Sequence, residues 1–118
     1  MSLSFPKEEK LKSRKVIDQL FREGRSVTKY PLRIIYLQIE GMERHKAAFA
    51  VPKRSFKLAV NRNRIKRQLR EAYRLHKNEL ITNKKGNFAL LVLYVSKEEA
   101  TWEAINSSMI ALLQNLQK

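Results

Sequence analysis

The stretch Asn61-Arg62-Asn63-Arg64-Ile65-Lys66-Arg67-Gln68-Leu69-Arg70 combines dense positive charge with a helical spacing of apolar residues. It lies within residues 53–77, which hold ten lysines and arginines against one acidic residue, Glu71, and therefore carry +9 of the chain's net charge of +14. The spacing predicts a docked helix from Asn61 or Arg62 to about Glu79, with an apolar face and a cationic face. The predicted apolar face is Ile65, Leu69, Ala72, Tyr73, His76 and Leu80, and the predicted cationic face is Asn63, Lys66, Arg67, Arg70, Arg74 and Lys77.

Composition indicates one folded domain over residues 1–118, because 43% of the residues are apolar and the 31% that are charged are interleaved with them. An isoelectric point near 10.4 favours a polyanionic partner. Nucleic acid ranks ahead of a membrane surface because the apolar faces of the predicted helices are expected to pack in the core. The absence of cysteine excludes disulfides, a thiolate nucleophile and cysteine-ligated zinc. With no apolar signal segment and no run long enough to span a bilayer, we expect a cytoplasmic protein with no membrane partner.

On the N-terminal side of the basic stretch, the sequence predicts a short helix and then strands. Ser13 is placed to cap the helix and Gly24 to end it. Strand chemistry begins at Val27, and a second strand from Lys46 to Val51 is expected to return antiparallel before Pro52 stops it. The apolar face predicted for the helix is Val16, Ile17, Leu20 and Phe21.

On the C-terminal side, the turn-rich residues 83–87 precede a continuous apolar run, 88–95, that suits a strand covered on both faces. Ser96 and Glu99 have the spacing of a capping box and predict the start of a last helix. The order of helix, strands, helix, strand and helix indicates a mixed α+β sandwich. The stripe predicted for the last helix is Trp102, Ile105, Met109, Leu112, Leu113 and Leu116.

The sequence offers few groups for catalysis. His45 and His76 are the only histidines, and both fit surface or core-edge roles better than metal binding. We find no Ser/His/Asp set, no glycine-rich phosphate loop and no carboxylate cluster for two metals, so the chain is not expected to perform chemistry by itself. The charge on the exposed face of the predicted basic helix is of one sign and one-sided, which favours binding of structured RNA over a merely solvated face. Phe21 and Tyr36 are the candidates for stacking on bases.

Five short segments, in order over nearly the whole chain, carry a family resemblance. They are Phe5-Pro6-Lys7, Leu11-Lys12-Ser13-Arg14, Gly24-Arg25-Ser26-Val27, Phe49-Ala50-Val51-Pro52-Lys53-Arg54 and Arg62-Asn63-Arg64-Ile65-Lys66-Arg67. In this combination they resemble the protein subunit of bacterial ribonuclease P. The chain departs from the family in three places: Ile17 stands where phenylalanine is frequent, the connection 53–58 is one residue longer and lacks a glycine, and the basic residue that is frequent near Tyr94 on the last strand is missing, with Lys97 the nearest.

The resemblance implies a protein that binds the catalytic RNA subunit and the 5′ leader of precursor tRNA, and so promotes endonucleolytic maturation of the tRNA 5′ end. It implies that the protein alone binds no cofactor, that Mg²⁺ is held mainly by the partner RNA, and that no further protein is required. It also implies the order α-β-β-β-α-β-α, a likeness to a ribosomal protein domain, and a left-handed βαβ crossover against the usual hand. The implied RNA-binding residues are Lys53, Arg54, Arg62, Asn63, Arg64, Lys66, Arg67 and Arg70, and the implied leader cleft contains Ile17, Phe21 and Ile35 or Tyr36, beside Lys53 and Arg54.

Two other classes remain open on the residues alone. A ribosomal or ribosome-assembly protein shares the small size, the basicity and the α+β pattern. A self-sufficient nuclease is disfavoured because the sequence offers no metal site and no acid/base pair.

Overall fold

Three helices and four strands follow one another in the order α-β-β-β-α-β-α. The computed structural model describes residues 9–77, 80 and 86–116; the segment 5–7 and the turn residues 83–85 lie outside them. The predicted mixed α+β domain and its element order are confirmed. The elements are α1 (Arg14–Glu23), β1 (Arg25–Lys29), β2 (Leu32–Ile39), β3 (Lys46–Ala50), α2 (Ala59–His76), β4 (Asn87–Tyr94) and α3 (Trp102–Asn115).

The strands form one sheet in the order β1-β2-β4-β3. The pairs β1–β2 and β2–β4 are antiparallel, whereas β3–β4 is parallel. Strand β3 runs antiparallel to β2, as expected, but the two strands do not pair: β4 lies between them, where its apolar run gains neighbours on both edges and cover on both faces. The connection β3–α2–β4 is a parallel crossover, and its left hand stays a prediction.

Side chains alternate between the two faces of the sheet and form two hydrophobic clusters. On one face Ile34 and Val92 pack in the cluster that holds the buried residues of α2 and α3. On the other face Ile35 and Leu91 pack with Leu20 of α1. The sheet consequently separates α1 from the pair α2 and α3.

Helix α2 carries the predicted apolar stripe but begins at Ala59, two residues before the earliest expected start. Ile65, Leu69, Ala72 and Tyr73 are all buried, which confirms the helix rotation derived from the spacing. Ile65 and Leu69 each contribute roughly 1.5–3 kcal/mol when fully buried, so the stripe fixes which side of α2 faces solvent.

The first helix begins and ends where the sequence predicts. The Ser13 Oγ accepts a hydrogen bond from the Val16 N–H at 3.3 Å. At the other end Gly24 caps α1, and a Cβ on this residue would lie 2.4 Å from the Leu20 carbonyl oxygen. Glycine is therefore required for the tight passage from α1 into β1.

The last helix begins later than its predicted capping box. Thr101 is the N-cap of α3, and its Oγ1 accepts from the Ala104 N–H at 3.2 Å. The Ser96 hydroxyl instead accepts from the Glu98 N–H at 3.1 Å and from the Tyr30 hydroxyl at 2.7 Å. The prediction that Ser96 caps the helix is wrong because its oxygen is committed to the turn that follows β4.

Candidate nucleic-acid interface

The outward side of α2 presents a continuous set of polar and basic side chains. Asn63, Arg64 and Arg67 are exposed, and Lys66 and Arg70 are half-buried beside them. Residues 63–70 span about 10 Å of helix axis. Because the apolar stripe of α2 is buried on the opposite side, these five predicted site residues share one solvent-facing surface, which we call the α2 face.

Two ion pairs modify this region. The Arg64 Nη1 lies 3.1 Å from a carboxylate oxygen of Glu99. Glu71 accepts from Arg74 at 2.5 Å, and this hydrogen bond lowers the pKa of the Glu71 carboxyl. The only acidic residue of the basic stretch is therefore compensated within its own helix.

Arg62 does not belong to the α2 face. Its side chain turns back toward the connection before the helix, where the Nη1 donates to the Phe56 carbonyl at 2.7 Å and to the Lys57 carbonyl at 2.9 Å. The N-cap of α2, Leu58, makes no side-chain capping hydrogen bond, so Arg62 is a side chain that ties this connection to the first turn of α2. These hydrogen bonds indicate a positioning role for Arg62, and its contact with RNA stays a prediction.

A groove of about 790 Å³ opens where the end of β4 meets the connection after β3. None of the eight described residues that line it is acidic. Of the two basic residues predicted from this connection, Arg54 lines the groove, whereas Lys53 is exposed beside it and does not. We call this the β4 groove; it is lined by Arg33, Pro52, Arg54, Ser55, Leu93, Tyr94, Val95 and Lys97.

Helix α1 lies near the β4 groove on the same side of the sheet. Leu93 lines the groove and also packs against the cluster beneath α1. Ile17 of α1 packs against the same cluster. Phe21 is 63% exposed although it was predicted on the apolar face of α1. An aromatic ring that is open to solvent on a basic protein is suited to stacking on an unpaired base.

The two strand residues predicted for the cleft lie on opposite faces of the sheet. Ile35 is on the α1 side but is only 8% exposed, since Leu20 and Gly24 cover it. Tyr36 is on the other side, with its ring centroid 6.1 Å from that of Phe88. Placing Tyr36 in the cleft is therefore wrong, because adjacent residues of a strand point to opposite faces.

Sequence reasoning missed two basic residues of the β4 groove, Arg33 and Lys97. Arg33 lies two residues before Ile35 on β2 and so projects to the same face as α1, which strand alternation could have revealed. Lys97 follows β4 and occupies the neighbourhood in which the family resemblance led us to look for a basic residue. With Arg54 they place three cations around one groove.

The histidines have ordinary partners. The His45 Nδ1 accepts from the Phe88 N–H at 2.9 Å, and burial lowers the pKa of this imidazole although Leu80 and Glu9 act in the opposite direction. The His76 Nε2 lies 2.8 Å from the Asn106 Oδ1. In the part of the chain that the structure describes, no group of three or more His, Asp or Glu side chains could hold a metal ion. No described helix is long and apolar enough to cross a membrane.

A one-sided basic helix, a second basic groove and a four-stranded mixed sheet define a class of small α+β proteins that bind polyanions. Comparisons with known proteins identify the family within this class. The ribonuclease P family model matches residues 5–117, and the chain belongs to this family.

Individual relatives agree with this assignment. A "Ribonuclease P protein component" from Porphyromonas gingivalis is 36% identical over 111 residues, which cover 87% of this chain and 79% of the relative. The ribonuclease P protein of Staphylococcus aureus superposes with a TM-score of 0.78 at 20% identity, covering 92% of this chain and 95% of that one. That of Thermotoga maritima gives 0.75 at 22% identity, covering 91% and 96%. The family match decides against the ribosomal-protein alternative.

Proposed function

We propose that this chain is the protein component that binds the catalytic RNA of ribonuclease P together with the 5′ leader of precursor tRNA, and so promotes endonucleolytic maturation of the tRNA 5′ end. The observation that carries the proposal is the presence of two separate basic surfaces, the α2 face and the β4 groove. Membership of the ribonuclease P family supplies the reaction. The protein acts in the cytoplasm and requires no further protein partner in this proposal.

The α2 face suits the folded catalytic RNA. Guanidinium groups grip phosphates through paired hydrogen bonds, and Asn63 adds a donor and an acceptor among them. A helix that carries such groups on its exposed side reads the backbone and shape of an RNA more than its bases. We therefore assign Asn63, Arg64, Lys66, Arg67 and Arg70 to this partner.

The β4 groove suits a single strand. Arg33, Arg54 and Lys97 can neutralise successive phosphates, and Phe21 offers a stacking surface on the same side of the sheet. The leader is present in the substrate and absent from the mature tRNA. Its binding therefore favours precursor over product, which is differential binding and needs no catalytic side chain.

In this proposal Mg²⁺ is held mainly by the partner RNA, and hydrolysis takes place there. The side chains of the protein neutralise phosphates and orient the substrate near the RNA-bound metal. Neutralisation of phosphate charge by the protein should increase cleavage most at low Mg²⁺ concentration, because Mg²⁺ then contributes less to screening the repulsion between the two RNAs.

Reconstitution tests the proposal directly. The purified protein is added to ribonuclease P RNA from the same cell and to precursor tRNA at low Mg²⁺, and removal of the leader is followed over time. We expect stimulation that grows when the substrate carries a leader of several nucleotides. Unchanged cleavage, or equal stimulation with a one-nucleotide leader, contradicts the proposal.

A further inference from the structure

A third basic surface lies at the β3 edge of the sheet, opposite in the strand order to β1. It is a groove of about 320 Å³ between the segment 10–12, strand β3 and helix α2. Lys10 and Lys12 form one wall, and Asn63, Lys66 and Arg70 form the other. We call it the N-terminal groove. It shares the second wall with the α2 face but adds Lys10 and Lys12, which are not among the RNA-binding residues that the resemblance implies.

The lysine wall has a fixed backbone. The Leu11 N–H donates to the Ala47 carbonyl at 2.9 Å, and the Leu11 side chain is buried in the cluster beneath α1. Lys10 pairs with Ala47 as an isolated parallel bridge along the edge of β3. Because Leu11 points inward, its two neighbours are exposed and project outward.

A partly buried ion pair holds the start of the same segment. The Lys77 Nζ lies 2.7 Å and 2.9 Å from the two carboxylate oxygens of Glu9, and these side chains are only 24% and 15% exposed. The pair joins the segment to the end of α2. It also compensates the charge of Glu9, so that this carboxylate does not oppose an anion in the groove.

The chemistry of the groove matches a nucleic-acid backbone. Four cations surround it, and among the described residues no aspartate or glutamate lines it. Its floor is made by Ala47, Ala48 and Phe49, which offer an apolar surface with little side-chain bulk on the two alanines. Phosphates along both walls and sugars on the floor satisfy this pattern. A compact anion would contact only one part of it.

We propose that the N-terminal groove holds the backbone of one strand of the catalytic RNA, clamped between Lys10 and Lys12 on one side and Asn63, Lys66 and Arg70 on the other. The inference rests on the proposed function, since it assumes that the α2 face binds that RNA. It adds a second wall to the site. The RNA strand is thereby enclosed from both sides instead of lying on an open helix.

The first test measures affinity as a function of salt. The groove variant carries the two substitutions Lys10→Ala and Lys12→Ala and keeps both Leu11 and the ion pair of Glu9. The control is a second double variant, Arg25→Ala with Lys29→Ala, which removes two exposed cations from β1 at the opposite edge of the sheet. We expect the groove variant to raise the Kd for ribonuclease P RNA about tenfold at 0.1 M salt, with a salt slope shallower by roughly 1.5. The control should change the slope by much less.

The outcomes of this test separate the two proposals. If wild-type protein does not bind the RNA, the proposed function fails. If wild-type protein binds but the groove variant and the β1 variant have the same slope, the inference alone is refuted. Preference for leader-bearing substrate should be unchanged in the groove variant, because the β4 groove is intact.

A second test locates the strand. The chain contains no cysteine, so the single substitutions Lys12→Cys, Lys66→Cys and Lys29→Cys each create a unique attachment point for a short photo-cross-linker. We expect positions 12 and 66 to cross-link to the same few nucleotides of the RNA and position 29 to give no cross-link there. Cross-links from 12 and 66 to distant parts of the RNA, or none from 12, refute the clamp.

Discussion

Arg62→Met should weaken recognition of the leader without removing a phosphate contact. Methionine keeps the length and apolar part of the side chain but cannot donate to the carbonyls of Phe56 and Lys57. These carbonyls belong to the connection that supplies Arg54 to the β4 groove. Loss of the two hydrogen bonds therefore releases one wall of that groove from the helix.

The expected size follows from the surroundings of each bond. A hydrogen bond to a charged donor contributes about 1.5–3 kcal/mol, and the bond to Phe56 is partly buried. The bond to Lys57 is exposed, so that water replaces it at a small loss. Together they stabilise the ordered connection by about 2 kcal/mol, equivalent to about 30-fold in the population of its native conformation.

The assay compares Kd values for leader-bearing and leaderless tRNA bound to the reconstituted enzyme, in wild type, Arg62→Met, Arg54→Ala and the double variant. We expect both single variants to reduce the leader preference, and the double variant to lose little more than Arg54→Ala alone. The salt slope for binding catalytic RNA should stay at its wild-type value. A slope shallower by about one with an intact leader preference would show that Arg62 binds phosphate directly, and would refute the reasoning.

Three further predictions address separate parts of the molecule. Arg67→Ala should weaken binding of the catalytic RNA for leader-bearing and leaderless complexes alike and make the salt slope shallower by about one, as measured by filter binding from low to high salt; an unchanged slope contradicts the assignment of the α2 face. Phe21→Ala should reduce the leader preference by about 1–3 kcal/mol while changing the free energy of unfolding by less than about 0.5 kcal/mol, because its ring is exposed; equal losses with leaderless substrate count against stacking. The lowered pKa of His45 means that the folded state favours the neutral imidazole, so its contribution to stability is complete above the unfolded pKa of about 6.5 and declines as pH falls below that value. The free energy of unfolding in urea should therefore decline less with falling pH in His45→Gln than in the matched variant His76→Gln. Identical pH profiles of the two variants would contradict this prediction.

The helices were predictable because their signals are local. The apolar stripe of α2 repeats within a few residues, and burial of Ile65 and Leu69 follows from that repeat alone. The partner of β3 was not predictable in the same way, since it is decided by β4, about 40 residues later in the chain, and by where that apolar strand finds cover. Local patterns define elements, and long-range burial decides how they pair.

In the candidate site, too, some residues were predictable from local patterns and others depend on long-range contacts. Asn63 and Arg67 lie where helix geometry places them, on the solvent side. Arg62 belongs to the family signature but precedes Leu69 by seven residues, so it lies on nearly the same side of the helix as that buried leucine. The helical spacing alone therefore predicts that Arg62 points toward the buried side of α2. It was grouped with the RNA-binding residues because it belongs to the family motif. Strand alternation gives the face of the sheet on which Arg33 lies, but the groove that it lines forms only when β2, β4 and the connection after β3 come together.

Strand β4 supports both sides of the sheet, so a change in its length affects both at once. Leu93 faces the β4 groove and the α1 side, whereas Val92 packs in the cluster that supports α2. One residue inserted within this strand would exchange the two sets of side chains and misplace both supports at once. Insertions and deletions are thus expected to accumulate in the turn around Gly41, where a Cβ would meet no neighbouring atom, and to be excluded from the central strand. Substitutions can tune either RNA surface alone, but a length change in β4 cannot.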